Sequence, residues 1–254
     1  MQGHLKSFSF ISLILAAALV FFASCSQNTP ELYSSDYSVI FDYADQENPP
    51  VARLSVFAAS GSDVRRYQKI KITSVETGYT WETEVISMLD TSDVQWAGCT
   101  NIAAPSGEKL PTGKYELTYY NADEKEYSLS IQVRYDADLY EVLLPGLAEF
   151  MEKNRGIEKI AIYDKQHLLI YFGNRTSDFR TTRDIWNFYR DAASYQVIWY
   201  SRNGSVICIA PELPVSPEAD EEKAEAEKSE DFESEAEYIE TENFESEYKE
   251  YDGE

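Results

Sequence analysis

Residues 113–135, GKYELTYYNADEKEYSLSIQVRY, carry the clearest structural signal in the chain. Two runs rich in β-branched and aromatic residues, 114–120 and 126–135, flank the polar turn Asn121-Ala122-Asp123. Alternation with a period of two puts Leu129, Ile131 and Val133 on one face of the second run. That pattern is a β-hairpin with one buried face.

The same reading extends outward. Segments 37–43, 51–59, 67–75, 79–84 and 94–99 alternate or are enriched in Val, Ile, Thr, Tyr, Phe and Trp. Gly61-Ser62-Asp63 and Thr77-Gly78 separate some of them as turns. Seven short strands with regular turns predict a β-sandwich domain over residues 37–136, of the immunoglobulin or fibronectin kind. Cys99 is the lone cysteine of this region, so the inter-sheet disulfide of an immunoglobulin domain has no second half, which favours the fibronectin kind.

After residue 136 the pattern changes. PGLAEFMEKNRG predicts a helix with Pro145 at its start, Gly156 past its end, and Leu147, Phe150 and Met151 on a shared face. IEKIAIYDKQHLLIYFG predicts a hairpin. A second helix is expected over 177–192, with Ile185, Trp186 and Tyr189 as its apolar stripe and Thr182 and Ala193 at its edges. YQVIWYSRNGSVICI predicts a second hairpin, with Asn203-Gly204 as a type I′ turn. At an offset of 37 residues the two hairpins align, so residues 137–211 read as a helix–hairpin unit used twice. The product would be a small α+β domain, a four-stranded antiparallel sheet with both helices on one face. The fold class expected for the whole is mainly β with an α+β part.

The chain has 254 residues and a net charge of −23. Residues 211–254 hold 19 acidic side chains against 3 Lys, a net −16, so residues 1–210 carry the remaining −7. Residues 212–254 therefore form a separate object, an acidic tail with too few aliphatics to fold alone. DFESE at 231–235 recurs as NFESE at 243–247. Phe232, Ala236 and Ile239, and likewise Phe244, Tyr248 and Tyr251, recur at the i, i+4, i+7 spacing of a helix face. Phe232, Phe244, Tyr248 and Tyr251 are the candidate contacts of this tail with a basic partner; a solvated spacer is the plainer reading. The acidity excludes nucleic acid as a partner, because phosphates require a basic surface.

The first 24 residues form an export signal: Lys6, then an apolar run from Phe8 to Phe22, then Ala23 and Ser24. That run is short for a bilayer span. The sequence FASC, ending at Cys25, resembles the lipobox of bacterial lipoproteins, in the looser form of spirochaete-type lipoproteins because Phe22 stands where Leu is usual. The resemblance implies cleavage before Cys25, lipidation of its thiol and a tether over residues 25–36. It also implies a place in the cell envelope, in the outer membrane at the periplasmic face or the cell surface. Each buried CH₂ of an acyl chain contributes about 0.8 kcal/mol, so several chains, palmitate among them, anchor firmly.

Chemistry is sparse. His167 is the one histidine after the leader and sits by a hairpin turn beside Asp164, which reads as a turn histidine. No G-x-S-x-G elbow, phosphate loop or dinucleotide fingerprint occurs. Ser106-Gly107-Glu108-Lys109 matches S-x-x-K, but within a Pro/Gly loop and without companion motifs. Neither a metal site nor a cofactor is expected. Cys99 and Cys208 are either a disulfide or two buried thiols.

One segment departs from the acidic trend. Residues 175–202 contain Arg175, Arg180, Arg183, Arg190 and Arg202 against three Asp, interleaved with Trp186, Phe188, Tyr189, Trp199 and Tyr200. Arg183 and Arg190, seven apart, would share a helix face. The segment is the candidate patch for an anionic or glycan ligand, or for the acidic tail itself, and the plainer reading is a core with snorkelling arginines. The leading functional expectation is a non-enzymatic, lipid-anchored envelope protein that binds or adheres to a protein or glycan. The alternative is a periplasmic assembly lipoprotein that holds another envelope protein through its acidic tail. A hydrolase built on His167 ranks last.

Overall fold

The computed structural model describes residues 32–61, 63–91 and 94–215. Cys25, the leader and the segment 216–254, with Phe232, Phe244, Tyr248 and Tyr251, lie outside the described residues. The fold is mainly β and built from sheets, compatible with a β-sandwich. Its strands are β1 Leu32–Asp42, β2 Val51–Ser60, β3 Tyr67–Ser74, β4 Thr80–Thr83, β5 Ser87–Asp90, β6 Gln95–Ala103, β7 Gly113–Asn121, β8 Glu126–Val133, β9 Ile157–Asp164, β10 Leu169–Asn174, β11 Ala192–Tyr200, β12 Val206–Ile209 and β13 Leu213–Pro214. Two α-helices are described, α1 Leu144–Lys153 and α2 Thr182–Phe188.

The chain divides into two compact units, and it crosses between them within β1, β2, β6, β7 and β8. The first contains Val56–Cys99 and Lys114–Ile131 with the described residues before 37. Its four-stranded sheet runs β4-β3-β7-β8. The β3–β7 ladder is antiparallel and sets Ile72 opposite Leu117 and Ile70 opposite Tyr119, all fully buried. In β8 the alternation holds: Ile131 and Val133 are buried and Leu129 half-buried. The Asn121 turn closes on its own side chain, whose Oδ1 accepts from the N–H of Asp123 and Lys125, both at 2.9 Å. Strand β5, absent from the sequence expectation, pairs antiparallel with β6, Met88 opposite Ala97. Tyr119 Oη donates to Ala97 O at 2.9 Å, a buried bond from β7 to β6.

The second unit contains Tyr37–Ser55, Thr100–Gly113 and the described residues from Gln132 onward. Here β10, β9, β11 and β12 pair antiparallel in that order. Beyond β12 lies β1, and that pairing is parallel, Val39 opposite Val206 and Asp42 opposite Ile209. Arg53 grips Asp42 with two bonds, at 2.5 and 3.2 Å, and donates to Thr100 O at 2.6 Å. Fully buried Phe41 meets the edges of Tyr135 and Tyr140.

Helix α1 begins at Leu144 with Pro145 in its first turn, as the sequence indicates. It ends in a Schellman arrangement: Gly156 N–H reaches Met151 O and Arg155 N–H reaches Glu152 O. The left-handed residue there is Arg155, at φ +58°, rather than a glycine. Three further expectations are corrected. The helix predicted over 177–192 is a short 3-10 turn, Ser177–Phe179, followed by α2. Tyr189 closes α2 with its N–H on Ile185 O, yet adopts extended backbone, because the chain must enter β11 three residues later. Arg190 is therefore not on the helix and does not share a helix face with Arg183. The Asn203-Gly204 turn is not type I′, since Gly204 has positive φ and Asn203 does not; Gly204 N–H closes on Ser201 O at 2.9 Å.

Candidate functional site

Helix α2 is short, and its ends explain its stability. Thr181 and Asp184 form a reciprocal capping box, Asp184 N–H to Thr181 Oγ1 at 3.1 Å and Thr181 N–H to Asp184 Oδ2 at 3.0 Å. Its one fully buried residue, Ile185, joins Ile160, Ile162, Phe179, Ala192 and Val215 in a core cluster. Trp186 and Tyr189 pack against that cluster half-buried. Phe179 is its aromatic hub, with ring centroids 5.0 Å from Tyr171, 5.7 Å from Phe188 and 6.1 Å from Tyr189.

The five arginines of residues 175–202 are all exposed, and they have different duties. Arg175 is a strut: it pairs with Glu158 at 3.1 Å and donates to Phe179 O and Arg180 O, fixing the 3-10 turn. Arg190 lies over the Trp186 ring at 5.7 Å, a cation–π contact that leaves its charge outward. Arg183 stands on the first turn of α2 and Arg180 just before it. Arg202 sits on the β11–β12 turn, three residues beyond Trp199, which pairs with Glu158. Among the described residues Arg180, Arg190 and Arg202 make no ion pair. Phe188 is 63% exposed, with its ring 5.7 Å from Phe179 and 5.9 Å from Tyr189. Thus the arginine–aromatic segment divides: Ile185 is core, Trp186 and Tyr189 are half-buried, and Arg180, Arg183, Arg190 and Phe188 are exposed.

A second constellation was not legible in the sequence. Of residues 212–215, placed there in the tail, Leu213 and Pro214 form β13 of the sheet and Glu212 and Val215 flank it. Ser194 and Tyr195 of β11 pair with Pro214 and Leu213 of β13, and Val215 is buried, 7% exposed. Glu212 accepts from Ser194 Oγ and lies 2.9 Å from His167 Nε2. His167 occupies the hairpin turn at φ +59° and stacks on Tyr163 at 4.7 Å. The hydrogen bond that His167 donates to the Glu212 carboxylate, and then the carboxylate's charge, raise the His167 pKa above its ordinary value. Ser194, then His167, lower that of Glu212. A nucleophilic triad sets imidazole between hydroxyl and carboxylate. Here the carboxylate stands between the other two, so the serine proton points at Glu212 and not at the imidazole of His167. The arrangement is a clip that fastens the chain before β13 to β11 and to the His167 turn.

The remaining candidates are occupied or inert. Lys109 pairs with Glu141 at 3.0 Å and lies over the Tyr140 ring, in a loop where Gly107 has φ +84°. Cys99 and Cys208 are free thiols, both buried, and burial pushes them up to about 11 and about 12. Among the described residues no group of three or more His, Cys, Asp or Glu side chains is placed to hold a metal ion. No helix of the described residues is long and apolar enough to cross a membrane. No protein-family model matches the chain, and no curated protein matches it.

Proposed function

We propose that this is a lipid-anchored envelope protein, held through Cys25, whose work is binding rather than catalysis. The observation that carries this reading is the exposed arginine–aromatic surface around α2, Arg180, Arg183, Arg190 and Phe188 on a buttressed aromatic wall. Exposed guanidinium groups, one of them, Arg190, over the Trp186 indole, suit carboxylate-bearing peptides or acidic glycans. The central carboxylate of the Ser194–Glu212–His167 clip supports a non-enzymatic role. The β4-β3-β7-β8 sheet, with β5 and the parts of β2 and β6 that belong to the same unit, is read as a fibronectin- or immunoglobulin-like sandwich; the antiparallel β9–β12 strands with α1 and α2 are read as its α+β companion. The proposed position is the outer membrane, at its periplasmic face or at the cell surface.

The test is ligand capture by the full-length chain on an array of acidic peptides, neutral peptides and glycans. Binding to acidic ligands that falls at least about tenfold in an Arg180→Ala, Arg190→Ala double variant supports the reading. Capture that is indifferent to these arginines contradicts it.

A further inference from the structure

The acidic segment that follows Val215 starts from the core cluster into which α2 packs. Val215 is the last described residue, and it is buried in one cluster with Ile185 of α2 and with Phe179. Its N–H bonds to Ala193 O at 2.9 Å, three residues past Arg190. The chain is thus delivered to the base of α2 by core packing and by the Glu212 clip.

We propose that residues 216–254 of this chain occupy the exposed surface formed by Arg180, Arg183, Arg190 and Phe188. The inference rests on the reading of that surface as one that binds anions, and names its occupant. Charge favours the pairing: residues 216–254 hold 18 acidic side chains against 3 Lys, whereas residues 175–202 net +2. Chemistry favours it too, since each FESE repeat sets a phenylalanine among carboxylates, and the α2 segment carries the exposed Phe188 between Arg183 and Arg190 in sequence. Reach is ample. Phe232 follows Val215 by 17 residues, about 23 Å as a random coil, against an α2 about 10 Å long. Tethering supplies an effective concentration of about 1 mM. A free-peptide affinity as weak as about 0.1 mM would then leave about nine in ten chains self-docked. An external ligand of the surface must displace the segment, which gives the protein a built-in competitor.

The test uses the full-length chain with a photoreactive benzoyl-phenylalanine in place of Phe232 or Phe244. The expected result is crosslinks concentrated in residues 175–202. Their yield should fall at least about fivefold in an Arg180→Ala, Arg183→Ala, Arg190→Ala variant, with circular dichroism confirming its fold. It should fall similarly in about 1 M salt, where the Debye length is about 3 Å. Crosslinks scattered over the surface, or unaltered in the variant, overturn the proposal. So do crosslinks between isotopically light and heavy chains in a mixture, which would assign the occupant to a second copy. A labelled peptide of residues 228–251 separates the two readings. If self-crosslinks fail but the peptide binds in an arginine-dependent way, self-docking is refuted and the anion surface stands. If neither occurs, both are refuted.

Discussion

Phe179→Ala is the perturbation that probes the wall behind the arginine surface most sharply. Phe179 is 4% exposed and touches the rings of Tyr171, Phe188 and Tyr189. Truncation to alanine removes about 120 Å² of buried apolar surface, or about 3 kcal/mol at 25 cal/mol/Å². The unfilled cavity raises the cost to about 4 kcal/mol. With a urea slope of about 2.5 kcal/mol/M, the midpoint should fall by about 1.5 M. Trp186, half-buried against the same cluster, reports the transition by fluorescence. Phe179→Leu keeps most of the burial and loses only the ring edges, so its midpoint should fall by about 0.5 M. An alanine variant that shifts by less than about 0.3 M would refute the packing described for this cluster. Equal shifts for the two variants would refute the aromatic contribution.

Three other outcomes are expected. A Cβ at Gly98 would lie 2.0 Å from Val56 O and 2.6 Å from the Phe57 ring, so Gly98→Ala should cost about 3 kcal/mol, read as a lowered urea midpoint. Thr181→Ala removes one arm of the capping box and should cost about 1 kcal/mol, with faster amide exchange confined to α2. The third concerns pH. His167 has a raised pKa, so its contribution is complete below its ordinary 6.5 and is lost as pH rises through the raised value. Glu212 has a lowered pKa, so its contribution is complete above 4.5 and is lost as pH falls through the lowered value. The clip should hold best between about pH 4.5 and 6.5, seen as protection of the Val215 amide corrected for intrinsic exchange. His167→Ala should flatten that profile, and an unchanged profile would contradict the clip.

Local pattern made much of the β structure legible. The alternation of 126–135 survives as the buried faces of Ile131 and Val133, and Asn121 folds its turn with its own side chain. Strand β5 gave no such signal, because Ser87–Asp90 is exposed throughout and has no apolar face to alternate. The parallel pairing of β1 with β12 joins Val39 to Val206, and nothing local in either segment specifies so distant a partner. Helix length was misjudged at Tyr189, where the demand of β11 overrode the helical spacing of Ile185, Trp186 and Tyr189. The arginine–aromatic segment was legible as composition; the division into struts, wall and exposed charge required the fold. Glu212 was hidden because an acidic residue at the head of an acidic run looks like its neighbours. Leu213 and Val215, alternating between prolines, were the available sign that the sheet continues there.

The envelope assignment turns on one covalent bond. The protein should be expressed with its leader in a bacterium that processes lipoproteins, and the N-terminal peptide of the membrane fraction weighed. A chain that begins at Cys25, with its thiol carrying a diacylglycerol thioether, is the predicted result. A free or absent Cys25 on a chain recovered from the soluble fraction would contradict the proposed anchor and the location built on it.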